Sequence, residues 1–150
     1  MSGVCSQPFT SADKWYSALI SGLVFAILSS SCSYTWTNGM TKNIGMTISS
    51  SQGCPNMAGL FLHAILFTII IRLLMQVGNS AHCGSPKDKT IISAMGGVLF
   101  LVVASPFLYD TMNTITSTMG LHIADQGCPN GAGLVLHTIV FILIVRLMMR

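Results

Sequence analysis

The side chains in this sequence with most chemistry to offer are two histidines and two cysteines, and they recur in one phrase. "QGCPNMAGLFLH" runs from Gln52 to His63 and "QGCPNGAGLVLH" from Gln126 to His137, identical at ten of twelve positions. An imidazole can carry a proton or ligate a metal, and a thiol can bridge or ligate. On a helix rising 1.5 Å per residue, each histidine stands about 12 Å beyond the proline, so the cysteine and histidine of one phrase lie too far apart in depth to share a ligand. An ionisable residue near mid-membrane is a functional hypothesis by default. If His63 and His137 faced each other across an axis between the two phrases, they could form a proton relay. A plainer reading makes each a neutral imidazole hydrogen-bonded to a serine, a threonine or a backbone carbonyl of a neighbouring helix, and this reading is favoured. A metal would need further ligands, and no acidic residue falls inside any expected span, so neither metal nor cofactor is expected.

The rest of the phrase reads as helix punctuation and packing. Glycine permits an unusual turn and proline suits the first helical position, so "GCPN" is expected to start a helix with Cys54 and Cys128 near its N-cap. Asn56, Gly59 and His63 are then spaced i, i+3, i+7 on one face, and Asn130, Gly133 and His137 repeat that face. A polar stripe with a small residue is expected to pack against protein rather than lipid. Cys54 and Cys128 occupy equivalent points and could form a disulfide, while Cys32 is an alternative partner for Cys54. Cys5 and Cys83 are expected on the opposite side as free thiols, and "HCGSP" around Cys83 has too few ligands for a structural zinc site.

The elements that must position these residues are membrane spans. Of 150 residues, 51% are hydrophobic and 7% charged, against about 25% charge in an ordinary soluble domain; mean hydropathy is +0.69. Four apolar runs of spanning length are expected near Trp15–Tyr34, Met57–Val77, Thr90–Tyr109 and Gly131–Met149. The first holds "SSSCS", whose hydroxyls need partners on neighbouring helices or in the local backbone. A cleaved secretory signal is not expected, because no basic segment precedes the first run and Trp15 and Tyr16 suit an interfacial anchor.

Identity extends beyond the phrase. A shift of 75 pairs Asp13 with Asp88, Gly22 with Gly97, Phe25 with Phe100, Tyr34 with Tyr109, Asn38 with Asn113 and Ile48 with Ile123; a shift of 74 then pairs Arg72 with Arg146. The fold class expected is therefore an all-α integral membrane protein, with four transmembrane helices from a tandem repeat of a two-helix hairpin. Its parts are an N-terminal segment over 1–14, repeats over 15–77 and 90–150, and a linker over 78–89. Both copies point the same way, a parallel repeat about an axis along the membrane normal. The loops over 35–56 and 110–130 read as continuations of the first and third helices, or as short interfacial helices, ending in a turn at the "QG" step. Pro106 should kink the third helix, and since Ser31 occupies its equivalent position the halves need not bend alike.

Lys14, Arg72, Lys87, Lys89, Arg146 and Arg150 fall on the side of both termini, and Lys42 alone on the other, which places the termini in the cytoplasm. Arg72 and Arg146, nine residues past the histidines, read as cations reaching lipid phosphates. No nucleophile elbow, phosphate-binding loop, HExxH or paired carboxylates are present, so no enzyme activity is expected. The basic residues form no nucleic-acid patch.

"SPFLYDTMNTITSTMGLHIADQGCPN" and "GLVLHTIVFILIVRLMM" resemble the short two-helix membrane proteins of nucleocytoplasmic large DNA viruses, over nearly all of residues 89–149. In the first half "SSSCSY" stands where the pattern has "ASPFLY". The resemblance implies a component of the internal membrane beneath an icosahedral capsid. Its partners would be the lipid bilayer, minor capsid or other virion membrane proteins, and further copies of itself. The rival reading is a small viral proton or ion channel, or a transporter, using His63 and His137.

Overall fold

The computed structural model describes residues 10–77 and 84–149; Cys5, Cys83 and Arg150 lie outside them. Among the described residues the regular structure is helical but for one short hairpin: α1 Ser11–Leu28, α2 Ser31–Lys42, α3 Met57–Leu74, α4 Pro86–Val103, α5 Pro106–Ser117 and α6 Gly131–Met148, with β1 Ala124–Asp125 pairing antiparallel to β2 Cys128–Pro129. In the first half the place of that hairpin is held by a single bridge between Ser49 and Pro55. α3 and α6 are each long and apolar enough to cross a membrane, and the spans number up to four if each bent pair, α1–α2 and α4–α5, counts as one.

Local sequence explains the starts. Thr10 and Asp13 form a capping box at α1, and Ser85 and Asp88 form one at α4 with Pro86 in the first turn. Each box satisfies backbone donors that a helix start leaves open. α3 and α6 start later than the proline of "GCPN". Asn56 and Asn130 are the N-caps, both extended, accepting from the Gly59 and Gly133 amides at 2.9 Å. Pro55 and Pro129 sit instead in the extended segment pairing with Ser49 and Ala124. An asparagine with a side-chain acceptor outcompetes proline, which only tolerates the missing bond. Asn56 and Asn130 are therefore caps rather than members of a packing stripe.

The first and third spans are also not continuous as expected. α1 stops at Leu28 and α2 departs at 57°; α4 stops at Val103 and α5 departs at 52°. Proline is not the cause, since the half without it bends at least as much. Both breaks occur where a serine, Ser30 (φ −71°, ψ 144°) or Ser105 (φ −68°, ψ 140°), leaves the helical region and caps the next helix. Its hydroxyl does two jobs. Ser30 Oγ accepts from the Ser33 amide and donates to the Ile27 carbonyl; Ser105 Oγ accepts from the Leu108 amide and donates to Val102. The "SS" and "SP" steps are thus equivalent helix restarts.

The long helices pack chiefly as α1 against α6 and α3 against α4, each pair joining the two halves. Small residues bring these pairs close: a Cβ at Gly22 would collide with Ile142, and one at Gly97 with the Thr68 hydroxyl. At the centre four phenylalanines interlock. Phe25 stacks on Phe141 with centroids 4.5 Å apart; Phe100 meets Phe25 and Phe67 at 5.3 Å each; Phe67 meets Phe141 at 5.5 Å. All four are essentially inaccessible, one from each long helix. Edge-to-face and offset pairs of this kind add attraction beyond simple burial. Along the outside, Leu19, Leu23, Ile27, Phe61, Ile65, Ile69 and their counterparts leave a broad apolar surface.

Candidate functional site at the helix breaks

His63 and His137 both aim at the breaks. Where α1 ends, its last carbonyls have no amide one turn ahead to receive. The Ser29 amide and hydroxyl serve Phe25, the Ser30 hydroxyl serves Ile27, and Leu28 is served from another helix: His63 Nδ1 donates to it at 2.7 Å. In the second half His137 Nδ1 donates to the Val103 carbonyl at 2.8 Å. A carbonyl can only accept, so Nδ1 carries the proton in both rings, and in the neutral form Nε2 is left as an acceptor. An unsatisfied carbonyl in an apolar surrounding costs about 1–3 kcal/mol by protein mutational measures, and more in hydrocarbon.

Each ring is clamped from the other side by a tyrosine of its own half. Tyr34 stacks on His63 (4.0 Å, 15°) and Tyr109 on His137 (3.8 Å, 15°). The two histidines are 0% and 1% exposed, and among the described residues no hydrogen bond or ring contact joins one to the other. They are held within their halves, and the four phenylalanines fill the centre between the halves.

The outer nitrogens differ. His63 Nε2 lies 3.2 Å from Thr37 Oγ1, whose single proton is also within reach of the Ser33 carbonyl at 2.8 Å. Among the described residues His137 Nε2 has no hydrogen-bond partner. The position equivalent to Thr37 is Met112, which has no hydroxyl to offer.

The glycines of the expected stripe each meet one backbone segment closely. A Cβ at Gly59 would collide with the Ile48 carbonyl, and one at Gly133 with that of Ile123. These are backbone atoms of the preceding loop, not of another helix. Asn38 Oδ1 receives the Ile48 and Ser49 amides at 2.9 and 3.4 Å, and Asn113 Oδ1 receives Ile123 and Ala124 at 2.8 and 3.2 Å. The Asn56 and Asn130 amides close the loops onto the Ile48 and Ile123 carbonyls. No family model, no curated protein and no solved structure matches the chain.

A disulfide joins Cys54 to Cys128, with Cα atoms 5.2 Å apart, and ties the two loops together; Cys32 is exposed and free. Gly53 and Gly127 precede the cysteines with φ near +80°, and both press against the first turns of α2 and α5, where a Cβ would meet Ser31 or Pro106. A shallow polar cleft lined by Ser31, Ser50, Gln52, Asp125 and Gln126 opens over the disulfide.

At the opposite end Arg72 and Arg146 find protein partners. Arg72 donates from Nε to Thr90 Oγ1 at 3.2 Å and from Nη2 to the Pro86 carbonyl. Arg146 reaches Ser11 Oγ at 3.3 Å and lies over the Trp15 ring at 5.4 Å. Each therefore ties the end of one long helix to the start of a helix from the other half, which lipid-directed snorkelling alone does not describe. Lys87 is exposed and Lys89 half-buried.

Reading the sequence for chemistry passed over the tyrosines, Asn38 and Asn113, and the phenylalanines. Their signal was identity at a fixed shift of 75 or 74. Residues that cannot do chemistry alone are easily read as filler, yet the tyrosines stack on the imidazoles, the asparagines hold the loops and the phenylalanines fill the centre.

Proposed function

We propose that the chain is a structural integral membrane protein of a large DNA virus particle. On this reading it has four spans, made by tandem duplication of a two-helix unit, and both termini on the capsid-facing side. It lies in the internal membrane and helps attach that membrane to minor capsid proteins through the segments at 1–14 and 76–89. The resemblance of residues 89–149 to small membrane proteins of such viruses supports the setting. One observation carries the structural role. The four phenylalanines close the centre where a conduit would run, while both buried histidines are committed to backbone carbonyls. A proton relay needs a continuing chain of partners, and among the described residues none meets His137 Nε2.

Proteoliposomes carrying the protein are expected to show proton flux no greater than empty liposomes. Flux above that baseline, abolished by His63→Ala with His137→Ala, would overturn the structural reading in favour of a channel. The setting is tested separately: the protein is expected in purified particles, in fixed ratio to the capsid protein and extractable only with detergent. Absence from particles would remove it.

A further inference from the structure

The 57° and 52° bends raise the question of where α2 and α5 lie. α1 and α3 have equal lengths of 18 residues, about 27 Å each, close to the thickness of a hydrocarbon core. A straight α1–α2 helix would run roughly 48 Å, and would carry Met40 and Ile44 out into water.

The surface of α2 divides cleanly. Tyr34 and Asn38, one turn apart, are buried against His63 and the Ile48 loop. Cys32, Trp36, Met40 and, past the helix end, Ile44 form an exposed line at four-residue spacing, with Trp36 70% and Ile44 74% exposed. In α5 the equivalent line is Phe107, Thr111, Ile115 and Met119, with Phe107 78% and Met119 83% exposed. α1 and α4 carry exposed apolar residues of their own up to the breaks: Leu19, Leu23 and Ile27 in α1, and Met95, Val98 and Val102 in α4. The only two tryptophans fall at opposite ends: Trp15 opens α1 beside Arg146, and Trp36 sits in α2 with Lys42 in its last turn. Tryptophan and lysine so placed suit the two headgroup layers.

From this we infer that α2 and α5 are a pair of amphipathic helices resting on the acyl–headgroup boundary of the leaflet opposite the termini, each laying its exposed apolar line on lipid. The occupant of these faces is lipid because Trp36 and Lys42 occur together in α2 as headgroup-layer residues do, and because each line begins just past the end of a helix whose own exposed side is apolar. This inference rests on the membrane reading above. It puts the breaks, and the histidines that close them, just beneath the interface rather than at mid-membrane.

Depth-resolved quenching in phosphatidylcholine vesicles tests it. Trp15→Phe leaves Trp36 as the sole tryptophan. Lipid brominated near the headgroup end of its chains is expected to quench Trp36 roughly twofold more than lipid brominated at the chain ends, as for a helix seated 5–10 Å into the boundary. Ile115→Trp, in a background with Trp15→Phe and Trp36→Phe, should behave alike. Ile65→Trp in that background, on the exposed face of α3, should show the reverse preference. Stronger quenching of Trp36 by the chain-end bromines would mean that α2 crosses the core and would overturn the inference. Quenching by aqueous iodide as complete as for free tryptophan, with neither lipid effective, would place α2 in water and overturn it too. If Ile65→Trp is also untouched by either lipid, the membrane reading itself falls, and this inference with it.

Discussion

The two halves solve the same problem with different inventories. Each breaks a helix at a serine, closes the last carbonyl with a histidine from the next long helix, and clamps that histidine with a tyrosine. The first half adds a serine hydroxyl at Ser29 and a threonine at the outer imidazole nitrogen; the second has Ala104 and Met112 there, and a proline after the break. What is shared fixes the backbone path. What differs alters only how fully the polar groups are satisfied, so the second half carries a buried acceptor, His137 Nε2, with no partner among the described residues. The shared set is therefore Ser30 and Ser105, the histidine donors, the loop-holding asparagines and the close glycines.

Changing the close glycines of the shared set should hurt most, and equally in both halves. Gly59→Ala and Gly133→Ala each drive a Cβ into a backbone carbonyl that no rotamer change can move. We expect a loss of about 3 kcal/mol for either, at the upper end of the cost of overpacking. Gly39→Ala in α2, where nothing lies near the new Cβ, should instead gain about 0.5–1 kcal/mol from reduced chain entropy. Unfolding in detergent followed by circular dichroism measures all three, and clearly unequal costs at Gly59 and Gly133 would break the equivalence of the halves.

Changing what differs should sharpen the contrast. His63→Ala strands the Leu28 carbonyl and takes from the Thr37 hydroxyl one of its two contacts, leaving the Ser33 carbonyl, whereas His137→Ala strands the Val103 carbonyl alone. Costs of about 1–3 kcal/mol are expected, larger at His63. Thr37→Val should lose about 1 kcal/mol, with nothing to lose at Met112 in the other half. Met112→Thr would supply the missing hydroxyl to His137 and is expected to raise stability by about 0.5–1 kcal/mol. A double-mutant cycle of Thr37 with His63 isolates the coupling; zero coupling would mean that the threonine proton stays on Ser33.

The helical class and the outline of the long apolar elements could be read from the sequence, because burial in a membrane needs long apolar runs and "FLHAILFTIIIRLL" can be little else. α3 begins at Met57, where the apolar run begins, but the role of each residue in "GCPN" is not legible, because proline and asparagine both favour helix entry and only geometry decides that Asn56 caps while Pro55 pairs in a bridge. The breaks were hidden for a similar reason. "SSSCS" and "ASPF" look different to a reader who associates bends with proline, yet a serine hydroxyl that closes one helix and opens the next does the same work in both. The partners of His63 and His137 lie 35 and 34 residues away in sequence, and a backbone carbonyl leaves no mark in composition.

That account of the breaks has its own test. If Ser30 and Ser105 make the bends, then Pro106→Ser and Ser31→Pro should leave both nearly unchanged. Proline at the first helical position loses no bond and suits its φ. Ser31→Pro is expected to gain, and Pro106→Ser to lose, about 0.4–1 kcal/mol through the unfolded chain. Ser105→Ala, which removes a cap and a carbonyl donor together, should cost about 1–2 kcal/mol. A Pro106→Ser cost matching that of Ser105→Ala would return the bend to proline.

The smallest effect lies at the opposite end of the long helices, where the two halves agree again. Hydrogen bonds from the Thr10 hydroxyl and amide hold the Asp13 carboxyl below its ordinary range, and those from Ser85 do so for Asp88, with Lys87 adding attraction. A carboxyl with a lowered folded-state pKa stabilises above its unfolded value of about 3.9, and that contribution is lost as pH falls through the folded value. Melting temperature is therefore expected to drop as pH is taken below about 4, and Asp13→Asn or Asp88→Asn should flatten part of that slope. Asp88 is exposed and Asp13 partly so, each at the solvent-facing start of its helix, so each change should be smaller than any above. Lys87 predicts the larger share for Asp88, and added salt should bring the two together, since screening weakens the lysine's attraction but leaves both capping boxes in place.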